Sequence, residues 1–393
     1  METAYIVSMA RTPVGSFGGQ LSGVHAAKLG AHAIAAALKR ISLDSKLVEE
    51  VYMGNVMSAN LGQAPARQAA IFAGLPYEVI CTSINKVCAS SLKTVMLATQ
   101  SIMLGQQDII IAGGFENMSA TPYYLDKART GYKLFDGKLI DGLIKDGVWD
   151  VYHDCHMAIA AEKVAARLNI SREDQDNYCI ESYKRAALAT QNGWMKAEIE
   201  PFLLQDKSGT EKYMIEDEEY QKVIYDKIPK LKPAFSPNGT ITAANASKIN
   251  DGGAALVIMS ERKMKELNLK PLARIAGFAD AEQEPLEFPT SPSLAIPKAT
   301  RMAGLSAKDI AVYEIHEAFS CVALSNMKRL EIDHSVTNLH GGAVSLGHPL
   351  GATGSRTLCA LISVLKRTNK QYGAAGACNG GGGASSIVLE NCF

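Results

Sequence analysis

Three residues that can do nucleophilic chemistry, Cys88, His348 and Cys378, lie far apart in the chain, and each is surrounded by small residues. Cys88 is followed by Ala-Ser-Ser, His348 ends a run that starts at Gly341, and Cys378 is followed by Asn and four glycines. Small residues let a substrate approach closely and let backbone N–H groups point at a developing oxyanion. Two thiols and an imidazole in such surroundings favour acyl transfer.

The place of Cys88 between a predicted strand and a predicted helix favours a nucleophile. Residues 79–87 are typical of a strand, and the residues after Cys88 have the i, i+3, i+4, i+7 apolar spacing of a helix. Unpaired N–H groups and the dipole at a helix start lower the pKa of a thiol. A buried cysteine without that setting is usually a small hydrophobe. We interpret four cysteines in this way: Cys81, Cys179, Cys321 and Cys359.

An internal repeat relates Cys88 to His348. Cys88 follows the predicted strand around Tyr52 at almost the same distance as His348 follows the one around Tyr313. In both cases an amphipathic helix follows, and after it a strand that ends in glycines. A histidine beside Gly and Pro is more often only held by hydrogen bonds. Two equivalent α/β units would instead place His348 opposite Cys88, where the imidazole could deprotonate the thiol.

Cys378 has no counterpart in the repeat. The four glycines after Asn379 would weaken a strand, so close approach of a ligand explains them better than packing does. A cysteine protease needs no second thiol for acid/base work, whereas a Claisen condensation must move a proton at the α-carbon of a thioester. Metal binding is the weaker alternative, because no His/Cys spacing fits a zinc site.

The elements that must position these residues alternate between strand and helix. We predict a strand at 4–9, a helix at 26–40, a strand at 51–56 and a helix at 64–73, and the last third repeats the pattern. Residues 120–245 differ, with helices and charged connections that we interpret as an inserted lid. Its lysines could meet the phosphates of a long substrate, although a charged run is more often a solvated face. The lysines in question are Lys222, Lys227, Lys230 and Lys232.

Composition narrows the classes of partner. The chain has 393 residues with 40 basic and 40 acidic side chains, so neither nucleic acid nor an anionic membrane is an expected partner. No apolar run reaches the roughly 20 residues of a membrane span. The eight cysteines show no disulfide spacing, which predicts reduced thiols. The start shows no targeting segment, so we expect a cytoplasmic protein, or one of the mitochondrial matrix if a presequence was removed.

The motifs that carry these residues resemble, in their order, those of the thiolase family along the whole chain, in particular its acetoacetyl-CoA thiolase group. They are residues 85–90, 112–119, 341–349 and 378–383. The resemblance implies the thiolase fold, with two pseudo-symmetric α/β units that form a layered αβαβα core. It implies an N-terminal half (1–119 with 246–271), a loop domain that binds CoA (120–245) and a C-terminal half (272–393). It also implies a homotetramer with contacts in 127–150.

The implied activity is acetyl-CoA C-acetyltransferase: a reversible Claisen condensation of two acetyl-CoA to acetoacetyl-CoA and CoA, with thiolysis of short-chain 3-ketoacyl-CoA as the reverse. By resemblance, Cys88 is acylated, His348 activates it, and Cys378 moves the α-proton. The N–H groups of Cys88 and Gly380 would form one oxyanion hole. His348 and a water held by His316, beside Glu317, would form the other. CoA is a substrate, and no prosthetic group is implied.

The resemblance also implies binding residues. CoA contacts are Tyr183, Lys222, Val223, Ile224, Lys227 and Ser247. Residues near the acyl group are His156, Met157, Ala318 and Phe319, with Phe288 in a Phe-Pro pair associated with 2-methyl-branched substrates. Potassium, in the mitochondrial-type enzymes of the family, would bind to Tyr183, Ala243, Ala244, Ala246 and Val344.

Two positions depart from the family pattern. His316 stands where most short-chain members have Asn, and an imidazole can become cationic, so we expect an effect on chain-length preference and pH dependence. Ser91 replaces a glycine, which is tolerable if the backbone there is helical.

Two alternative functions remain open from the sequence. A decarboxylating ketoacyl synthase would use a second histidine in place of Cys378, and a non-catalytic thiolase-fold protein would only bind acyl-CoA or lipid.

Overall fold

The computed structural model describes residues 2–205 and 208–393. Within them the strands, in chain order, are β1 (Ala4–Arg11), β2 (Gly15–Ser16), β3 (Glu50–Gly54), β4 (Ile80–Ile84), β5 (Ile109–Asn117), β6 (Tyr123–Tyr124), β7 (Ile140–Asp141), β8 (Trp149–Asp150), β9 (Cys155–His156), β10 (Phe202–Gln205), β11 (Glu211–Met214), β12 (Asn250–Ser260), β13 (Ala273–Glu282), β14 (Val312–Ile315), β15 (Tyr372–Asn379) and β16 (Gly383–Asn391).

The α-helices are α1 (Ala26–Arg40), α2 (Pro65–Phe72), α3 (Ser90–Met103), α4 (Met157–Arg167), α5 (Arg172–Gln191), α6 (Glu261–Glu266), α7 (Pro292–Met302), α8 (Ser320–Leu330), α9 (Ala343–Leu346) and α10 (Thr353–Thr368). A π-helical turn spans Ile144–Val148. Short 3-10 helices span Ser45–Leu47, Trp194–Ala197, Glu219–Lys222, Tyr225–Lys230, Pro285–Thr290, Ala307–Asp309 and Leu350–Ala352.

The main sheet repeats one strand order twice. Its order is β14-β15-β16-β13-β1-β12-β5-β3-β4, with β2 paired to β12. In the first half, β4-β3-β5 run parallel and are followed by antiparallel β12 and β1. In the second, β14 runs parallel to β15 and is followed by antiparallel β16 and β13, with the parallel Tyr313–Thr337 bridge in the place of β4. The predicted internal repeat is therefore present in the fold.

Apolar side chains on both faces of the sheet produce the layers. In β5, Ile109 and Ile111 pack against α1 and α2, whereas Ile110 and Ala112 face α3 and α10. The same inner cluster includes residues of β14, β15 and β16, whose other face packs on α7. Alternation along a strand sends successive side chains to opposite faces. The order is thus α1/α2, sheet half, α3/α10, sheet half, α7: the αβαβα arrangement that was predicted.

The starts of α3 and α10 meet in the central layer. The backbone N–H of Ser355 donates to Oγ of Ser91 at 2.9 Å. A Cβ on Gly354 would lie 2.4 Å from the backbone N of Leu92, so only glycine permits this approach. Ser91 is in the first turn of α3, which agrees with the prediction of a helical backbone there. The contact brings together the loops that precede both helices, which carry Cys88 and His348.

Residues 120–245 contribute no strand to the main sheet among the residues that the structure describes there; they contain α4, α5 and three two-stranded ribbons. A buried ion pair attaches this segment to β1: Arg11 bonds Asp217 at 2.7 Å and Glu198 at 3.4 Å. The domain boundaries 1–119 with 246–271, 120–245 and 272–393 stay a prediction. Of the helices described, none has both the length and the apolar character needed to cross a bilayer.

Candidate active site

Cys88 lies in a tight turn between β4 and α3. Val87, just before it, has φ of 48°, a left-handed conformation that is unusual for a β-branched residue. The turn is held by the Asn85 side chain, which accepts from the Val87 N–H at 2.9 Å, and by Ser90 Oγ, which donates to the Val87 carbonyl at 2.6 Å. These local bonds offset the backbone strain and present the thiol to a cavity.

The Cys88 thiol contacts the predicted imidazole. Sγ lies 3.3 Å from Nε2 of His348, and Nδ1 of His348 lies 2.6 Å from Oγ1 of Thr353. The Thr353 hydroxyl donates to the Pro349 carbonyl at 2.9 Å, so toward His348 it acts as an acceptor. His348 therefore carries its proton on Nδ1, which leaves the Nε2 lone pair for the thiol proton.

Burial keeps this pair neutral before substrate binds. It raises the pKa of Cys88 to about 12, although N–H groups of Gly380 and of Cys88 itself bond to the sulfur and lower it. Burial, and secondarily the charge of Arg356, lower the pKa of His348 to about 3. The predicted lowering of the thiol pKa is corrected here: α3 starts two residues after Cys88, and desolvation outweighs its N–H groups. Proton transfer must accompany attack on the substrate.

The His348 loop is anchored from the first half of the chain. Its backbone N–H donates to Oδ1 of Asn250 at 2.8 Å, and the Asn250 amide donates to the Gly15 carbonyl at 2.9 Å. Gly347 has φ of 107°, and a Cβ there would lie 2.5 Å from the Asn250 side chain. Glycine is thus required beside His348 for both conformation and space.

His316 is fully buried next to His348, with ring centroids 4.2 Å apart. The potential ligand atoms of Cys88, His316 and His348 lie within 4.8 Å of one another. Neither ring nitrogen of His316 has a protein hydrogen-bond partner, so both are available to a water or a substrate oxygen. Burial, and then the charges of His348 and Arg356, hold the pKa of His316 well below its usual range. The expected cationic form is therefore disfavoured.

Cys378 lies at the end of β15, fully buried behind the cavity. It packs in one cluster with Phe288, Ala318 and Phe319. Burial and then the charge of a Cys88 thiolate raise its pKa well above the ordinary value, so Cys378 holds its proton at neutral pH. A protonated thiol beside a nucleophilic thiol is the arrangement that acid/base chemistry at an α-carbon needs.

Glu317, next to His316, does not face the cavity. Its carboxylate accepts from the Tyr178 hydroxyl at 2.7 Å and from the Ser182 hydroxyl at 3.0 Å. It also accepts from the Asn338 amide at 2.8 Å and the Val344 N–H at 3.0 Å. Glu317 is therefore a structural carboxylate that joins α5 to the segment of residues 338–344, which leads into α9.

The acyl-binding residues that were predicted lie around one small cavity of about 60 Å³ beside Cys88 and His348. Its other lining residues include Gly380, His156, Met157, Ser247, Phe288, Ala318 and Phe319. His156 stacks on Phe235 with centroids 4.5 Å apart. The lining is mostly apolar, which suits a short acyl chain. Ser247, predicted to contact CoA, lies in this cavity.

A second cleft of about 220 Å³ contains the other predicted CoA residues. They are Tyr183, Lys222, Val223, Ile224 and Lys227. Ala243, Ala244 and Lys248 also line it. Lys222 donates to the hydroxyl of Ser16. The structure therefore separates a small reactive cavity from a larger cleft with exposed cations, as a thioester with a phosphate-bearing tail would require.

The predicted potassium ligands are close together, but two of them already hold a cation. The ammonium of Lys248 donates to the carbonyls of Ala246 at 2.7 Å and Ala244 at 3.2 Å. Tyr183 lies beneath it, and Val344 packs in the same cluster as Tyr183 and Ala244. The set therefore does not fit a potassium ion as predicted, because an ammonium occupies its carbonyl oxygens.

Sequence reasoning missed Thr353, Asn250 and Lys248. The hydroxyl of Thr353, five residues after His348 at the start of α10, could have been noticed as a nearby partner. Asn250 gives no such signal, because its role depends on the pairing of β12 with β2. Lys248 has a local signal in the run Ala243 to Ser247, whose small residues leave carbonyls uncovered.

Comparisons with known proteins agree along the whole chain. The family model "Thiolase, N-terminal domain" matches residues 4–262, and "Thiolase, C-terminal domain" matches residues 269–391. A cytosolic acetyl-CoA acetyltransferase of Gibberella zeae is 51% identical over 388 residues, which cover 98% of each chain. A mitochondrial acetyl-CoA acetyltransferase of Mus musculus is 49% identical over 386 residues, covering 98% of this chain and 90% of the relative.

A solved structure, that of human mitochondrial 3-ketoacyl-CoA thiolase, has the same fold. It superposes with a TM-score of 0.96 at 35% identity, and 99% of each chain is covered. Together with the repeated strand order, this likeness supports the predicted fold class.

Proposed function

The chain belongs to the thiolase family, and from this we propose that it is an acetyl-CoA acetyltransferase that makes or cleaves acetoacetyl-CoA. Relatives with that name match nearly its full length at about half identity. The observation that carries the proposal is the 3.3 Å contact between Sγ of Cys88 and Nε2 of His348, with the proton of His348 on the opposite nitrogen.

In thiolysis, Cys88 Sγ attacks the C3 carbonyl of a 3-ketoacyl-CoA as Nε2 of His348 takes the thiol proton. The carbonyl oxygen becomes an oxyanion, which the N–H groups of Cys88 and Gly380 or the imidazolium and a water on His316 would stabilise. Collapse breaks the C2–C3 bond. Cys378 gives its proton to C2, so acetyl-CoA leaves and the acyl group stays on Cys88.

The second half-reaction restores both thiols. The thiol of CoA transfers its proton to the Cys378 thiolate and attacks the acyl-Cys88 carbonyl. Collapse of that oxyanion breaks the bond to Sγ, which takes back the proton held by His348. The products are acyl-CoA and free Cys88. Condensation of two acetyl-CoA is the same sequence in reverse, with Cys378 removing the α-proton.

CoA enters as a substrate, and we include no prosthetic group. The pantetheine and phosphates would lie along Tyr183, Val223 and Ile224 and reach the exposed Lys222 and Lys227. Burial of Phe288 beside the cavity supports its assignment to the acyl pocket. Potassium is left out of the proposal, because Lys248 already binds two of the predicted carbonyl ligands.

We further propose a cytoplasmic location, or the mitochondrial matrix after loss of a presequence. One relative is named cytosolic and another is named mitochondrial. A homotetramer is part of the same proposal. Apolar side chains exposed between residues 123 and 139 support it, because a lone subunit would leave them in water.

The test is acetylation followed by turnover. Incubation with acetyl-CoA should add one acetyl group to Cys88, detected by peptide mass spectrometry, and the enzyme should cleave acetoacetyl-CoA when CoA is added. Cys378→Ala should still acetylate but turn over at least roughly 100-fold more slowly. No adduct at Cys88 would leave a protein that only binds acyl-CoA or lipid. Undiminished turnover in Cys378→Ala would contradict the proton transfers above.

A further inference from the structure

Lys248 places a positive charge where backbone carbonyls converge. Its ammonium has three N–H donors. Two go to the carbonyls of Ala244 and Ala246, at 3.2 and 2.7 Å, and the nitrogen lies 5.9 Å from the centroid of the Tyr183 ring. That distance is within the range of a cation–π contact. The cation is thus enclosed by its own loop and an aromatic face.

The surroundings are those of a monovalent cation site rather than of a solvated lysine. Carbonyl oxygens of a turn replace water around such an ion. Burial lowers the pKa of Lys248 to about 8, while the nearby charges of Glu219 and Glu317 favour the ammonium. The Cys179 S–H also donates to the Ala244 carbonyl at 3.2 Å. A free potassium ion on the same carbonyls would be repelled by the ammonium and would have to displace it.

We infer that the ammonium of Lys248 is a built-in replacement for a bound monovalent metal ion, and that it keeps the loop of residues 243–248 in its binding conformation without potassium. This loop joins the two halves of the site. Ala243 and Ala244 line the second cleft, and Ser247 lines the cavity of Cys88. Ser247 N–H also donates to the Ala318 carbonyl at 3.0 Å.

Lys248 lines the second cleft, but both of its hydrogen bonds go to carbonyls of its own loop, so we assign it a positioning role. It contacts neither Cys88 nor His348, and neither carbonyl that it binds belongs to a residue of the proposed chemistry. Its loss should weaken CoA binding through the loop and leave the chemical step nearly intact. A small cation that fits the vacated space should restore binding.

The experiment compares the native enzyme with Lys248→Ala, which removes the charge and opens space for an ion. The melting temperature and the KM for acetoacetyl-CoA are measured in choline, sodium, potassium and ammonium chloride at one ionic strength. Lys270→Met is the matched control, because Lys270 is an exposed lysine that lines neither the second cleft nor the cavity of Cys88. The KM readout rests on the proposed function, whereas the melting temperature does not.

We expect the native enzyme and Lys270→Met to behave alike in potassium and choline. In choline, Lys248→Ala should melt at a lower temperature and have a KM roughly 10-fold higher, with kcat within about twofold. Potassium or ammonium should raise its melting temperature and return KM toward the native value. A potassium effect of equal size in the native enzyme would overturn the inference. The inference would also be overturned if neither potassium nor ammonium improved the melting temperature or the KM of Lys248→Ala.

If Lys248→Ala does not fold, Lys248→Met provides the test, because its side chain fills the space without a charge. Its KM should be raised as in Lys248→Ala, and no cation should restore it. Native behaviour of Lys248→Met in choline would show that the charge has no role. If the enzyme proves inactive with acetoacetyl-CoA, the melting temperatures still decide for or against the cation site.

Discussion

At the scale of single residues, the side chain behind His348 determines what the imidazole can do. Thr353 is buried, and its hydroxyl is committed as a donor to the Pro349 carbonyl. It can therefore only accept from His348, which fixes the tautomer. A histidine with its proton on Nε2 would present a donor to Cys88 and could not take the thiol proton.

Replacement of Thr353 by Val should lower kcat roughly 10-fold with little change in KM, because the variant keeps the shape but no longer holds the proton on Nδ1. Steady-state thiolysis measures both constants. Thr353→Ser, which keeps the hydroxyl, is the control and should stay within about threefold of the native kcat. An unchanged kcat in Thr353→Val would show that another group orients His348.

His316 is the residue at which the sequence expectation and the structure differ most. The sequence allows a cationic imidazole, but complete burial beside His348 disfavours the charge. A histidine whose folded pKa is lowered stays neutral as pH falls through 6.5, its ordinary value. It can then hold a water as a neutral group, in the manner of an amide.

His316→Asn should therefore keep thiolysis within a few-fold and leave the pH profile between about 6 and 9 unchanged. His316→Leu should lower kcat by roughly 10-fold or more, because leucine cannot hold a water. Both are measured as kcat/KM against pH. A shifted acid limb in His316→Asn would mean that the imidazole does titrate in the native enzyme.

At the scale of elements, Glu317 connects parts of the chain that are distant in sequence. α5 supplies Tyr178 and Ser182, the loop before α9 supplies Asn338, and α9 supplies the N–H of Val344. A Cβ on Gly342 would lie 2.3 Å from the carboxylate carbon, so the loop passes directly over it. The carboxylate thus sets the path of the loop that ends at His348.

Glu317→Ala should destabilise the protein by about 3 kcal/mol, because buried donors would lose their shared acceptor. The loss would appear as a lower melting temperature. Glu317→Gln has the same shape and one remaining carbonyl acceptor, so it should lose less. A native-like melting temperature in Glu317→Ala would mean that water replaces the carboxylate.

At the scale of the whole molecule, one surface segment is more apolar than a lone subunit would favour. Leu134 and Phe135 are 77% and 88% exposed, and both lie inside residues 127–150, the predicted tetramer contact. Tyr123, Leu125 and Leu139 are also exposed nearby. Contiguous exposed apolar side chains commonly mark an interface.

If the proposed tetramer forms through this segment, Phe135→Asp combined with Leu134→Asp should dissociate it into smaller species, because two charges would be buried at the contact. Sedimentation velocity over a range of concentrations measures this. Tyr213→Asp changes a side chain that is also well exposed, at 59%, and serves as the control that should stay tetrameric. A double variant that remains tetrameric would place the contact elsewhere.

Much of the fold followed from the sequence because local patterns carry it. The helix predicted at 26–40 is α1. The strand predicted at 51–56 is β3, which begins one residue earlier and ends two residues earlier, and the strand predicted at 79–87 is β4, which is shorter at both ends. Apolar periodicity determines such elements wherever they are packed. The repeat and the glycine-rich motifs likewise identified Cys88, His348 and Cys378, because reactive residues in small-residue loops stand out against the core.

The charge states and the partners of those residues were decided only by the tertiary structure. Burial, which no local pattern reports, raises the pKa of Cys88 and lowers that of His316. Glu317 is drawn away from the cavity by donors on α5, and Lys248 takes up carbonyls that the sequence assigned to potassium. Such properties depend on desolvation and on which groups the fold brings within bonding distance. The sequence therefore determined which residues react, and the tertiary structure determined how their protons and charges are held.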